Sequence, residues 1–288
     1  MRSEKARGRL SRGVPASNPD DLGRRAPDQS AEAGELLAIL KLGMAYRYGL
    51  GTGKDPVQAL ALFRKGAEAG FSTARYEIGL MYFVGEGIPA NENEAVTWFR
   101  KGAVGGYGPA MGSLAYAYMN GLGGIGRDSA VGQQWYQKAA ANGDGRSQNH
   151  LGWCYETGTL VPKDLAQAVD WYRKAADAGD LEGQFNLARA YLYGVGIAKD
   201  PVQGVRWYQQ AAEQGHPAAQ HYLGYSYLTG VGVAIDSVAG YQWLYLATKQ
   251  DPENKDYQDR LARLEARMRG PLMERGKLQA LEWLKRRG

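Results

Sequence analysis

The side chains able to do chemistry in this chain of 288 residues are few and scattered: three histidines, His150, His216 and His221, and one cysteine, Cys154. A zinc centre needs imidazole and thiolate ligands at short, regular spacing. The histidines form no i, i+4 pair among themselves, and none is read as lying near the cysteine, so no metal is expected and surface or groove positions account for all three. A single thiol permits neither an intrachain disulfide nor a thiolate cluster. Cys154 shares its position in a repeating pattern with Ala45, Met81, Ala117, Ala190 and Ser226, which marks it as a small buried packing residue. Two glycine strings imitate phosphate-binding loops. Gly49-Leu50-Gly51-Thr52-Gly53-Lys54 lacks the required spacing and has Asp55 where a hydroxyl should bind magnesium. Gly121, Gly123 and Gly126 fit G-x-G-x-x-G, but a helix precedes them where that motif needs a strand. With no nucleophile–base constellation either, no enzyme activity and no cofactor are expected.

The elements that carry these residues come from a repeat. Six segments align: Leu42-Gly43-Met44-Ala45-Tyr46, Ile78-Gly79-Leu80-Met81-Tyr82, Leu114-Ala115-Tyr116-Ala117-Tyr118, Leu151-Gly152-Trp153-Cys154-Tyr155, Leu187-Ala188-Arg189-Ala190-Tyr191 and Leu223-Gly224-Tyr225-Ser226-Tyr227. They start 36, 36, 37, 36 and 36 residues apart. A fixed period of this size marks an array in which each unit buries its apolar face against its neighbours. Ala74, Ile78 and Tyr82 recur at i, i+4, i+8 and so share one helix face. Glycine or alanine always follows the first residue of the segment. Glycine inside a helix costs about 1 kcal/mol, so its recurrence there implies close approach by another helix.

A turn follows in which five copies carry Gly-x-Gly, the fourth departing with Gly158-Thr159-Leu160. Each second helix then opens on Asp55, Asn91, Asp128, Asp164, Asp200 or Asp236, side chains suited to capping the free N–H groups of a first turn. The second helices read Ala59…Leu62-Phe63…Ala67, Ala95…Trp98-Phe99…Ala103, Gly132…Trp135-Tyr136…Ala140, Ala168…Trp171-Tyr172…Ala176, Gly204…Trp207-Tyr208…Ala212 and Gly240…Trp243-Leu244…Thr248. Small residues thus face aromatic ones across a helix pair.

Leu-Gly-x-x-Tyr followed by Ala-x-x-x-Phe resembles the tetratricopeptide unit. The period of 36 and the long glycine turn make the chain similar, more specifically, to the Sel-one-like repeat (SLR) family over residues 35–250. That resemblance implies an all-α fold, a superhelical solenoid of six helix pairs whose first helices line a concave side. It implies a scaffold or adaptor, and it brings no shared catalytic residues.

The ends differ from the array. Residues 1–34 carry a net +2 and are rich in Arg, Gly, Ser and Pro, residues 35–250 are neutral, and residues 251–288 carry +3. The first 34 residues read as a disordered basic leader without the apolar core of an export signal. A cytoplasmic location is expected, and a periplasmic one if the natural N-terminus is longer. Basicity confined to the ends gives no footprint for nucleic acid, and no apolar run approaches the ~20 residues that cross a bilayer. After residue 250, Tyr257, Leu261, Leu264 and Met268 form one helical stripe, and Leu278, Leu281 and Leu284 a second beyond Gly270-Pro271. A terminal repeat leaves an apolar face that needs covering, so residues 251–288 are expected to cap it.

One face exceeds what the repeat requires. With the first residue of each aligned segment numbered zero, positions −2, +2 and +5 fall within about 60° of one another on the opposite side of the helix. They hold Leu40/Met44/Arg47, Tyr76/Leu80/Phe83, Gly112/Tyr116/Met119, Asn149/Trp153/Glu156, Phe185/Arg189/Leu192 and His221/Tyr225/Leu228. Either adjacent first helices pack through these residues, or they line a groove. In the second reading Tyr76, Phe83, Tyr116, Met119, Trp153, Glu156, Arg189 and Tyr225 bind a protein or peptide partner, and the chain is a monomeric, non-enzymatic adaptor. Two other functions stand beside it. One is a scaffold at the cell envelope. The other is the β-lactam binding or hydrolysis of some secreted SLR proteins, which the single cysteine disfavours.

Overall fold

The computed structural model describes residues 32–286, apart from the side chains of residues 32, 33 and 35. The expected basic leader therefore lies almost wholly outside the described residues. Its last three positions are helical, because the first helix begins at Glu32. Among the described residues there are fourteen helices and no strand. They are α1 (Glu32–Tyr48), α2 (Pro56–Glu68), α3 (Ser72–Val84), α4 (Glu92–Val104), α5 (Gly108–Asn120), α6 (Ser129–Ala141) and α7 (Gly145–Thr157). There follow α8 (Leu165–Asp177), α9 (Leu181–Tyr193), α10 (Pro201–Glu213), α11 (Pro217–Thr229), α12 (Ser237–Gln250), α13 (Lys255–Glu265) and α14 (Gly270–Lys285). The first twelve make six helix pairs. The chain divides into two compact units, with the boundary after Ser147.

Each pair is closed by the same local chemistry. Asp55, Asn91, Asp128, Asp164, Asp200 and Asp236 each accept a hydrogen bond from a backbone N–H in the first turn of the second helix. The backbone N–H of each cap in turn donates to the carbonyl of Tyr46, Tyr82, Tyr118, Tyr155, Tyr191 or Tyr227, at 2.8–3.0 Å. The cap therefore starts one helix and ties it to the preceding one. The glycine turns take left-handed backbone, which costs glycine nothing. The second glycine also lies close to another repeat: a methyl on Gly196 would sit 2.1 Å from the Leu165 carbonyl oxygen, and one on Gly232 2.2 Å from that of Pro201. In the fourth repeat Leu160 takes the same backbone, with φ 66°.

Small residues set how near the paired helices come. A methyl on Gly79 would stand 2.6 Å from the Phe99 ring, and one on Gly152 2.6 Å from the Tyr172 ring. A second fit operates inside three of the repeats. Gly132 faces Met119, Gly204 faces Leu192 and Gly240 faces Leu228, with an added methyl 2.6–3.3 Å from those side chains. The three repeats that carry Arg47, Phe83 or Glu156 at position +5 have Ala59, Ala95 and Ala168 instead. Glycine therefore stands where Met119, Leu192 or Leu228 leaves no room for a methyl.

In the N-terminal unit the core gathers Leu40, Phe63, Ala74, Ile78 and Met81, and then Tyr76, Leu80, Phe83, Phe99 and Leu114. In the C-terminal unit it gathers Tyr172 and Leu187, then Tyr208, Leu223, Trp243 and Leu246. Helices α13 and α14 both pack on α12. Leu261 of α13 lies against Tyr241 and Leu244. On α14 only Leu284 of the expected stripe of Leu278, Leu281 and Leu284 packs against the core. Leu278 and Leu281 are exposed, and Gly276 and Ala280 are buried in their place. Glycine lets α14 approach so closely that a methyl on Gly276 would meet the Val238 carbonyl and the Tyr241 ring at 2.8 Å, a fit that no leucine at that position would allow.

Candidate functional site

The face at positions −2, +2 and +5 behaves differently in the two units. In the N-terminal unit it is mostly interior. Tyr76 is 3% exposed and Phe83 1%, and both rings pack against Phe99. These two residues, expected as surface anchors, are core residues, because neighbouring aromatic side chains close over them. Leu40, Met44 and Leu80 are buried as well. Tyr116 and Met119 are half-buried, with Met119 held over Gly132.

Arg47, at +5 of the first repeat, is also buried. Its Nη1 donates to the wholly buried Glu77 and its Nε to Glu86 at 2.9 Å, and Lys54 Nζ reaches the other Glu86 oxygen at 2.9 Å. Burial opposes the Arg47 charge, but the Glu77 and Glu86 carboxylates outweigh it and raise its pKa. Burial likewise opposes ionisation of Glu86, and Lys54 and Arg47 overcome it to hold its pKa below the usual value.

The C-terminal unit leaves position +2 of this face open, although Leu192 and His221 on the same face are buried. Trp153, Arg189 and Tyr225 occupy position +2 of three successive repeats. Trp153 is 45% exposed, Tyr225 43%, and the Arg189 side chain 41%. Glu156, at +5, accepts from Arg189 Nη2 at 2.5 Å and from the Tyr172 hydroxyl at 2.5 Å. Burial, then the hydrogen bond to Glu156, pushes the Tyr172 pKa above its ordinary value. The Trp153 ring lies 5.8 Å from that of His150, and the Arg260 guanidinium lies 4.8 Å over the Tyr225 ring. Tyr193, which the three-position pattern passed over, is exposed as well. It stands at +6, four residues after Arg189, and the i, i+4 rule applied to Arg189 points to it.

Two of the three histidines are not surface residues, and His150 is half-buried. His216 is buried: its Nδ1 accepts from the Ala219 N–H as a helix cap, and its Nε2 lies 3.3 Å from Glu182. His221 is buried between Tyr222 and Tyr257, stacked on the latter at 4.7 Å. His150 stands one helical turn before Cys154, and its Nε2 lies 3.5 Å from that sulfur. This i, i+4 pair is written in the sequence, and the reading that no histidine lies near the cysteine missed it. Cys154 is fully buried, so the pair has the character of packing. Burial lowers the pKa of His150 to about 4, and burial with the nearby Arg260 charge does the same for His221. No group of three or more His, Cys, Asp or Glu side chains among the described residues could hold a metal ion. No helix among them is long and apolar enough to cross a membrane.

Helix pairs of constant length, closed by a capped glycine turn and stacked through small residues, define an all-α repeat protein. The Sel1 repeat profile matches six times, at residues 36–71, 72–107, 108–144, 145–180, 181–216 and 217–252. The chain belongs to the Sel1 repeat family. Such repeats generally form non-catalytic scaffolds that mediate protein–protein interaction. Among solved structures, c5321, a protective antigen of uropathogenic Escherichia coli with an SLR fold, is 35% identical with a TM-score of 0.60. That match covers 88% of this chain but 53% of the antigen, so the chain spans about half of that protein's length. A Sel1 repeat protein from Oxalobacter formigenes is 33% identical with a TM-score of 0.62, over 76% of this chain and 88% of that one. The immunity protein Pa5087 of Pseudomonas aeruginosa, 16% identical with a TM-score of 0.57 over 83% and 89% of the two chains, shares the fold. Comparison with curated proteins returns no match.

Proposed function

We propose that the chain is a non-enzymatic adaptor and that its C-terminal unit binds a segment of a partner protein across Trp153, Arg189 and Tyr225, with Glu156 orienting Arg189. One observation carries this reading: two large aromatic side chains and an arginine stand exposed at the same position of three successive repeats, where the first two repeats bury Met44 and Leu80. Aromatic and arginine side chains dominate interface energetics, and loss of one anchor costs about 2 kcal/mol or more. Tyr116 and Met119 belong to the N-terminal unit, are half-buried, and form no part of the surface proposed on the C-terminal unit. Tyr76 and Phe83 support the fold and do not form part of the proposed surface.

The test is Trp153→Ala, read by a thermal melt beside a binding titration against a captured partner. Partner affinity is expected to fall roughly thirtyfold, with the melting temperature nearly unchanged because Trp153 is exposed. A large drop in melting temperature with full affinity in the folded fraction would remove Trp153 from the surface.

A further inference from the structure

Helix α14 turns Gly276 and Ala280 inward and leaves Leu278 and Leu281 outward, 59% and 47% exposed. Glu274, Leu278, Leu281 and Lys285 follow one another at intervals of four, three and four residues, the spacing of a coiled-coil seam. At about 100° per residue they fall within about 60° of one another. They lie on the side of the helix turned away from Gly276 and Ala280, and all four are exposed. Arg275 and Glu282, also exposed, stand seven residues apart along one flank of this seam. A lone surface leucine is ordinary. Two in one stripe, with an acid before them and a base after, form an apolar patch with a direction.

That pattern is complementary to itself. A twofold axis passing between Gln279 and Ala280 sets Leu278 of one copy against Leu281 of another, and Glu274 against Lys285. The same axis keeps each flank on its own side, so Arg275 of one copy meets Glu282 of the other, and every contact occurs twice. A parallel pair would instead bring Glu274 to Glu274 and Lys285 to Lys285, and flanking charges of this kind set helix orientation. We infer that the occupant of this face is a second copy of the chain, docked through α14 as an antiparallel, twofold helix pair. One patch serves both copies in such a contact, so assembly closes at two. With two leucines a side the seam is short, and the pair is weak and concentration-dependent. It uses none of the residues of the partner surface proposed above and stands apart from that reading.

Analytical ultracentrifugation of the full chain, from about 1 μM to about 1 mM, tests this. The parent should pass from monomer to dimer with no larger species. The Leu278→Glu, Leu281→Glu double variant should stay monomeric and melt close to the parent, because both positions are exposed. Charge exchange then tests the pairing. Glu274→Lys and Lys285→Glu each bring like charges together twice, so each alone should weaken the dimer about tenfold or more. Mixed, the two single variants should regain a dimer holding one of each, since both ends of the seam then join opposite charges. Leucines that merely stick to any apolar surface would show no such recovery. A parent still monomeric at the highest concentration overturns the inference. So does a dimer that survives the leucine changes, or charge variants that dimerise as the parent does or fail to recover on mixing.

Discussion

The two charged residues at position +5, Arg47 and Glu156, sit at the same place in the first and fourth repeats and lead different lives. Each is neutralised by the next repeat: Arg47 by Glu77 and Glu86, Glu156 by Arg189. The N-terminal pair is sealed by Leu40, Met44, Tyr76 and Leu80, all buried. The C-terminal pair stays in contact with solvent. Register fixes where a side chain sits, and its neighbours then decide whether it is structure or surface. An ion pair in the interior holds the fold only while both members are present. One at the surface is worth little to stability and is free to meet a partner.

The largest expected effect tests that contrast directly. Glu77→Ala should cost about 3 kcal/mol, because it takes one of two carboxylates from the buried Arg47 and leaves only Glu86 to hold its charge. Glu156→Ala should cost about 1–2 kcal/mol, since water screens Arg189 and the loss is mainly that of the acceptor for the buried Tyr172 hydroxyl. Denaturant titration of both variants gives the difference, and equal losses would break the comparison.

Acid should separate the units next. All three histidines stand beyond residue 147. His150 and His221 have folded pKa values near 4, below the ordinary 6.5. A lowered histidine pKa means that the unfolded chain binds protons first. The stabilising contribution is therefore complete above pH 6.5 and is lost as the pH falls towards 4, on the order of 3 kcal/mol for the two groups after solvent screening. The N-terminal unit has no histidine, and Glu86, whose pKa is lowered, keeps its contribution until the pH falls below about 4.5. Amide hydrogen exchange at pH 7 and pH 5 should show protection falling in the C-terminal unit alone. An equal loss in both units would count against the assignment, as would its persistence in the His150→Gln, His221→Gln double variant.

The smallest effect concerns the turns. Leu160 holds a left-handed backbone that five other turns give to glycine. Leu160→Gly should raise stability by about 1 kcal/mol, the strain relieved less the flexibility added to the unfolded chain. Gly196→Ala, where a methyl would collide with the Leu165 carbonyl, should move the melting temperature the other way. A loss at Leu160 would mean that its half-exposed side chain makes contacts worth more than the strain.

Much of this architecture was legible because its causes are local. A capping Asp, a glycine at positive φ and a small residue opposite an aromatic ring each leave their mark within a few residues or one period. The candidate site was legible only as a set of positions. What pairs Arg47 with Glu86 across 39 residues and Glu156 with Arg189 across 33 comes from a neighbouring repeat, and the Phe99 ring that packs on Tyr76 comes from the other helix of its own repeat, so no short window contains both partners. Leu278 and Leu281 misled for another reason. Apolar periodicity marks a face that is able to be buried, whereas Gly276 and Ala280 win the contact by letting backbones approach.

The glycine fit inside three of the repeats bears on how such a chain grows. Gly132 with Met119, Gly204 with Leu192 and Gly240 with Leu228 are partners 12 or 13 residues apart. Duplication of a whole period copies both members and inherits a working fit. A crossover in the glycine turn separates them, and would seat a side chain such as Leu228 over an alanine methyl. Within this array the helix pair is therefore the heritable part, and the natural joints lie between the pairs.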